Sequence, residues 1–296
     1  MCTSIKTSLD SIVSSEKSTD ELYSIFKSID DYTYPIIRFY IDANTYVIRQ
    51  RLNQKNKEFF YISDLSYPPV TVCKEYGRAN LPFHPMFYCC SFPSDYSAPQ
   101  PRIITLMETS NFINDTKSKG IERSTCSRWD VKERLNLLAL PFSKKYERTI
   151  EDIQIIQEEW RRERNREDVN KKALEIVEYM SEEIAKKSNN GADYFKIANF
   201  IYYLLYQNRK TKDSDGIIYP SVAAAGEGFN LVLKPEVADQ KLEFATASLC
   251  YLVKDGLKAD LIVVNHSVGQ NDDGTLIYAP WSDFNIKDYP EFDFIN

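Results

Sequence analysis

The stretch 215-DGIIYPSVAAAGEGFNLVLKPE-236 holds two runs of strand-forming residues, 216-GIIYPS-221 and 229-FNLVLKP-235, parted by small residues and glycines. Its position decides the fold class, because strand texture returns here after a long helical middle. Upstream of that middle, 46-YVIRQRL-52, 59-FFYISDL-65, 86-MFYCCSF-92 and 102-RIITLME-108 also read as strands punctuated by Pro and Gly, although the last could equally begin a helix. Two strand-rich blocks with helices between them indicate an α+β fold with a mixed or antiparallel sheet. A doubly wound sheet would instead alternate strand and helix throughout.

Working outward, residues 149–187 carry apolar side chains at helical spacing, among them Ile153, Trp160, Ala173, Ile176, Val177, Met180 and Ile184. Acids and bases alternate in 159-EWRRERNRED-168, so that segment reads as a solvated helix face and not as a nucleic-acid contact. The run 194-YFKIANFIYYLLYQ-207 is apolar enough for a mostly buried helix. Leu22, Ile25, Phe26 and Ile29 mark a helix that docks on the main body. The expected organisation is a helical extension over 1–44, a core domain over 45–240 with a helical insertion at about 149–207, and a strand-and-tail extension over 241–296 packed on the same body.

The chain has 296 residues and a formal charge of -6, which disfavours broad nucleic-acid binding. Its six cysteines show no CxxC pair or zinc-like spacing, so no metal site is expected. The start MCTSIKTSLDS lacks the order of a secretory signal, and the longest apolar run is too short to span a bilayer. The expectation is a soluble cytoplasmic protein with reduced thiols and no membrane partner. With only His84 and His266 present, mechanisms built on a histidine base lose ground.

Polar residues inside the strand blocks are the candidates for chemistry. Arg49 and Arg51 flank Gln50 and would share one face of a strand. Arg78 and Asn80 follow Gly77, whose backbone freedom suits a tight turn and close approach by a ligand. Tyr88 lies in an aromatic run, Glu108 ends 103-IITLM-107, Ser221 follows Pro220, and Asn230 opens the run after 226-GEG-228. Taken singly, each has an ordinary explanation: exposed cations, a helix-surface carboxylate, a core aromatic, a turn cap. His84, beside Pro85, reads as a loop residue. The spacing of 226-GEGFN-230 is not that of a dinucleotide fingerprint.

Taken in order, 49-RQR-51, 77-GRANLPFHPMFY-88, 103-IITLME-108, 215-DGIIYPSV-222 and 228-GFNLVLKPE-236 resemble the RES-domain family, named for its Arg, Glu and Ser. The resemblance covers roughly residues 45–240, and its second half is the more specific. The first half departs from the family: Tyr76, Gly77 and Ala79 stand around Arg78 where a double glycine and an aromatic are common.

The resemblance implies an ADP-ribosyltransferase-like core that consumes NAD as substrate, with no cofactor and with inorganic phosphate as a candidate co-substrate. Many relatives are toxins that deplete NAD by hydrolysis or phosphorolysis and are restrained by a helix-turn-helix antitoxin. Some are proposed to ADP-ribosylate a protein, and a non-catalytic domain that binds a nucleotide or a partner is the alternative outside enzymes. An antitoxin or other inhibitor, and a second copy of the chain, are therefore the candidate protein partners. By the same resemblance Arg49 and Arg78 would contact phosphate or ribose, with Arg51 as the alternative to Arg49. Tyr88 would pack on nicotinamide, and Glu108 would hydrogen-bond ribose and stabilise its developing cation. Ser221 would hydrogen-bond ribose or amide, and Asn80 and Asn230 would shape the pocket. This chemistry tolerates a chain poor in histidine, because nicotinamide leaves as a neutral group and needs no acid.

Overall fold

The computed structural model describes residues 5–13, 15–30, 34–53, 57–91, 100–140, 151–188, 190–290, 292 and 294. Two N-terminal helices, α1 (Ile5–Ser11) and α2 (Glu16–Lys27), precede strands β1 (Ile37–Ile41) and β2 (Tyr46–Leu52). A short helix α3 (Ile62–Leu65) and a long loop lead to β3 (Phe87–Ser91). Next come α4 (Pro101–Thr109), α5 (Asn111–Asn114), β4 (Lys119–Val131) and β5 (Leu135–Ala139). Helices α6 (Glu151–Arg164), α7 (Lys171–Ile184) and α8 (Phe195–Tyr202) precede β6 (Gly216–Pro220) and β7 (Phe229–Leu233). Helix α9 (Pro235–Lys241) and strands β8 (Leu242–Asp255), β9 (Lys258–Gln270) and β10 (Leu276–Pro280) complete the order.

The ten strands of the described residues join one sheet in the order β1-β5-β6-β7-β3-β2-β4-β8-β9-β10. Of its pairings only β5–β6 is parallel. The fold is therefore α+β with a mixed, mostly antiparallel sheet. A parallel neighbour cannot be reached by a tight turn, so the chain needs a crossover between β5 and β6. Helices α6–α8 lie in that connection, which makes the expected insertion part of the sheet's topology.

Strands β6 and β7 are buried at every residue. Their period-2 alternation sends Ile217, Tyr219 and Val232 toward a core shared with Leu22, Phe26, Val177, Met180 and Phe200 of α2, α7 and α8. Ile218, Leu231 and Leu233 point the other way, toward Ile153 and Ile156 of α6 and Val237 of α9. Helices on both faces explain why these strands read as unbroken apolar runs. Gly216 is required where they meet, since a Cβ there would lie 2.1 Å from the Val232 carbonyl oxygen.

Several boundaries differ from the sequence reading. Residues 102–108 are helix, started by Pro101 in the first turn, where the missing N–H costs nothing. Residues 59–65 contribute only a bridge at Tyr61 and α3, because β4, not this segment, takes the free side of β2. Residues 37–41, assigned to a helical extension, form β1, antiparallel to β5. The 241–296 segment is integral to the sheet: β8 pairs with β4 from Lys119↔Asp255 to Val131↔Leu242. Beyond it β9 and β10 carry the sheet round until Leu276 N–H donates to the Phe60 carbonyl at 2.7 Å. No helix among the described residues is long and apolar enough to cross a membrane.

Candidate functional site

Among the described residues strands β2 and β3 pair at Val47↔Ser91 and Ile48↔Cys90, and past Arg49 and Cys89 they diverge. Beyond the fork β2 stays with β4, while β3 stays with β7 from Phe87↔Leu233 to Cys90↔Asn230. Arg49 bridges the gap: its Nη1 donates to the Tyr88 carbonyl at 2.8 Å and its Nε to the Leu65 carbonyl at 3.1 Å. A cavity of about 510 Å³ occupies the fork, within the usual range of ~300–1,000 Å³ for small-molecule sites. Its lining takes consecutive residues from both strands, Arg49 to Leu52 and Tyr88 to Cys90. Because alternate strand residues face opposite ways, the cavity must reach through the sheet at the split.

Three guanidinium groups line this space. Arg49 packs over Phe87 and Arg51 over Phe59, with Cζ 5.5 Å and 4.7 Å from the ring centroids. Burial, and then the charge of Arg51, lowers the Arg49 pKa to about 10, which leaves it cationic at neutral pH. Burial also lowers that of Arg51, whose Nη1 donates to the Asp64 carbonyl. Arg78 covers the end of α7, donating through Nη1 to the Ile184 carbonyl and, at 3.0 Å, to the Lys186 carbonyl. Its Nη2 donates to Tyr194 Oη at 3.2 Å, and its Cζ sits 5.1 Å from the centre of that ring. Among the described residues none of the three makes a carboxylate ion pair, so the wall is strongly positive although the chain carries net charge -6.

The loop carrying Arg78 is fixed by Tyr88. The phenol donates to Asn80 Oδ1 at 2.8 Å and accepts from Ala79 N–H at 3.0 Å. Asn80 Nδ2 donates in turn to the carbonyls of Glu75 and Leu81. Gly77 lies against this arrangement so tightly that a Cβ would come within 2.0 Å of Asn80 Oδ1 and 3.0 Å of Tyr88 Oη. Burial pushes the phenol pKa well above its usual value. The Tyr88 hydroxyl is thus committed to the loop.

Glu108, at the last turn of α4, is the one carboxylate in the lining among the described residues. Its Oε1 accepts from Ser221 Oγ at 2.6 Å and from Ala223 N–H at 3.1 Å. Oε2 has no hydrogen-bond partner among the described residues. Ser221 is fully buried, and its Oγ also accepts from Ala224 N–H at 3.1 Å. Seven of the eight candidate residues therefore line one cavity: Arg49, Arg51, Arg78, Asn80, Tyr88, Glu108 and Asn230. Ser221 stands behind Glu108 and holds it, in place of the ligand contact expected of it.

No family model matches the chain. No curated protein matches it either. The chemistry of the site has to be read from its own geometry.

Several lining residues escape sequence reasoning. Gln50 is buried between Ser124 and Thr105, donating to Ser124 Oγ at 2.7 Å and accepting from Thr105 Oγ1 at 3.2 Å. Alternation would have sent it away from the two arginines, and only the fork reunites them. Tyr194 comes from the crossover, over a hundred residues from Arg78, and no spacing rule connects the two. Cys89 and Cys90 also line the space, but burial raises both thiol pKa values, so neither is a thiolate at neutral pH. His84 lies outside the lining, with Nδ1 2.9 Å from the Pro82 carbonyl oxygen.

Proposed function

We propose that the protein cleaves the nicotinamide–ribose bond of NAD. The observation that carries this reading is one cavity joining three arginines, none in a carboxylate ion pair among the described residues, to the anchored carboxylate of Glu108. A dinucleotide brings a doubly charged diphosphate next to a ribose that becomes cationic, and the cavity offers the matching charges. Guanidinium groups suit diphosphate through forked, charge-assisted hydrogen bonds. Arg49 and Arg51 keep N–H groups free for that purpose after their carbonyl contacts.

In this reaction the C1′–N bond breaks with its electron pair passing to the ring nitrogen, so the pyridinium leaves as neutral nicotinamide. The ribose takes up the positive charge as an oxocarbenium-like species. Glu108 stabilises that charge through its unpartnered Oε2, while Ser221 and Ala223 hold Oε1 in position. Water adds at C1′ and loses a proton, giving ADP-ribose. Inorganic phosphate as acceptor would give the ribose 1-phosphate instead. Aromatic surface from Tyr88 and Tyr219 is available to the departing ring.

The test is release of nicotinamide from NAD by the purified protein, with and without phosphate. Glu108→Gln keeps an oxygen for Ser221 and Ala223 but removes the charge, and turnover should fall by about 10²–10³. Wild-type protein that releases no nicotinamide overturns the proposal. Labelled NAD that leaves its label on one lysate protein identifies a mono-ADP-ribosyltransferase.

A further inference from the structure

Asn230 is a polar break in the apolar strand 229-FNLVL-233, with 5% of its surface exposed. Its Oδ1 accepts from the Cys90 thiol at 3.2 Å. Its Nδ2 is buried with no hydrogen-bond partner, and the residue lines the cavity. A buried amide donor without an acceptor costs about 1–3 kcal/mol, and such groups in folded proteins call for a specific explanation. A ligand oxygen that completes the bond supplies one.

The neighbours restrict what that oxygen belongs to. Asn230 pairs across the sheet with Cys90 on one side and Tyr219 on the other. Cys90 packs against Ile104 and Met107 of α4 and against Ala224, so the Glu108 carboxylate held by Ser221 and Ala223 is near. An anionic ligand oxygen would be repelled there. A hydroxyl fits, since it accepts from an amide and donates to a carboxylate, as Nδ2 and Glu108 Oε2 require. We infer that Asn230 Nδ2 donates to a hydroxyl of the ribose held against Glu108, making the pair a reader of the sugar's cis-diol. This rests on the dinucleotide-cleaving reading, which sets that ribose beside Glu108.

The experiment measures calorimetric binding of ADP-ribose, and of its analogues lacking the 2′ or 3′ hydroxyl of the terminal ribose, to wild type, Asn230→Leu and Asn230→Asp. Wild type should prefer ADP-ribose to one analogue by about tenfold or more, the equivalent of ~1.4 kcal/mol. In both variants that preference should collapse toward one. Asn230→Leu should melt close to wild type, because removal of the unpartnered donor offsets the weak bond lost from the Cys90 thiol. Asn230→Asp keeps the shape and the Cys90 contact, so it carries the test if the leucine variant does not fold. Unchanged preference in a folded variant overturns the assignment while leaving NAD cleavage standing. Wild type that binds neither ADP-ribose nor NAD overturns the dinucleotide reading and this inference together.

Discussion

Replacing Ser221 by alanine separates the fold's demands from the chemistry's. The hydroxyl makes two bonds in a fully buried place, a donation to Glu108 Oε1 at 2.6 Å and an acceptance from Ala224 N–H at 3.1 Å. A hydrogen bond to a charged group is worth about 1.5–3 kcal/mol, and a stranded buried N–H costs about 1–3 kcal/mol. Full burial leaves no room at Oγ for bulk water to replace either bond. A loss near 3 kcal/mol is expected, which at ~2–4 °C per kcal/mol lowers Tm by roughly 6–12 °C. Glu108 keeps only the Ala223 N–H and gains rotational freedom, and misplacement of a reacting group by an ångström costs about 10² in rate. Glu108→Gln should leave Tm close to wild type, since its amide oxygen can still accept from Ser221, while turnover falls by about 10²–10³. Because both residues act through one carboxylate, the double variant should turn over no more slowly than Glu108→Gln alone. Thermal melts and nicotinamide release on the three variants check this. Wild-type turnover in Ser221→Ala, or multiplying losses in the double variant, would refute the reasoning.

Gly77→Ala should lower stability by about 1–3 kcal/mol and weaken ADP-ribose binding, because the new Cβ pushes Asn80 off Tyr88 and shifts the Arg78 loop; a melt and a titration matching wild type would contradict it. Alkaline stability follows from the tyrosines. Tyr23, Tyr34, Tyr88 and Tyr219 all have pKa values raised by burial, so each adds stability below the unfolded value near 10 that drains away as pH rises beyond it. Arg49 acts oppositely, its lowered pKa adding stability as pH rises above about 10, but it is one group against several. The urea midpoint should fall between pH 9 and pH 11, and a midpoint that rises would show the arginine to dominate.

Local pattern settled much of the architecture. Strands β2, β3, β6 and β7 appear where β-branched and aromatic residues cluster, and α7 and α8 where apolar spacing is helical, because these preferences act within a few residues. The polar residues of the cavity stood out for a related reason: an Arg, Asn or Tyr hydroxyl inside such a run needs a partner. The sequence alone therefore determined the α+β class and the set of side chains to consider.

Their arrangement required the fold. That 102–108 is a helix depends on Thr105 and Ile104 finding Gln50, Cys90 and Ala224 to pack on. Whether 37–41 belonged to the sheet depended on β5, nearly a hundred residues away. The burial of Ser221 behind Glu108, the meeting of Tyr194 with Arg78 and the unpartnered amide of Asn230 each join segments far apart in sequence. At the fork the facing edges of β2 and β3 part while their outer edges stay paired, β2 with β4 and β3 with β7. No window of neighbouring residues contains those distant partners, so only the assembled sheet decides where it opens and what faces the opening.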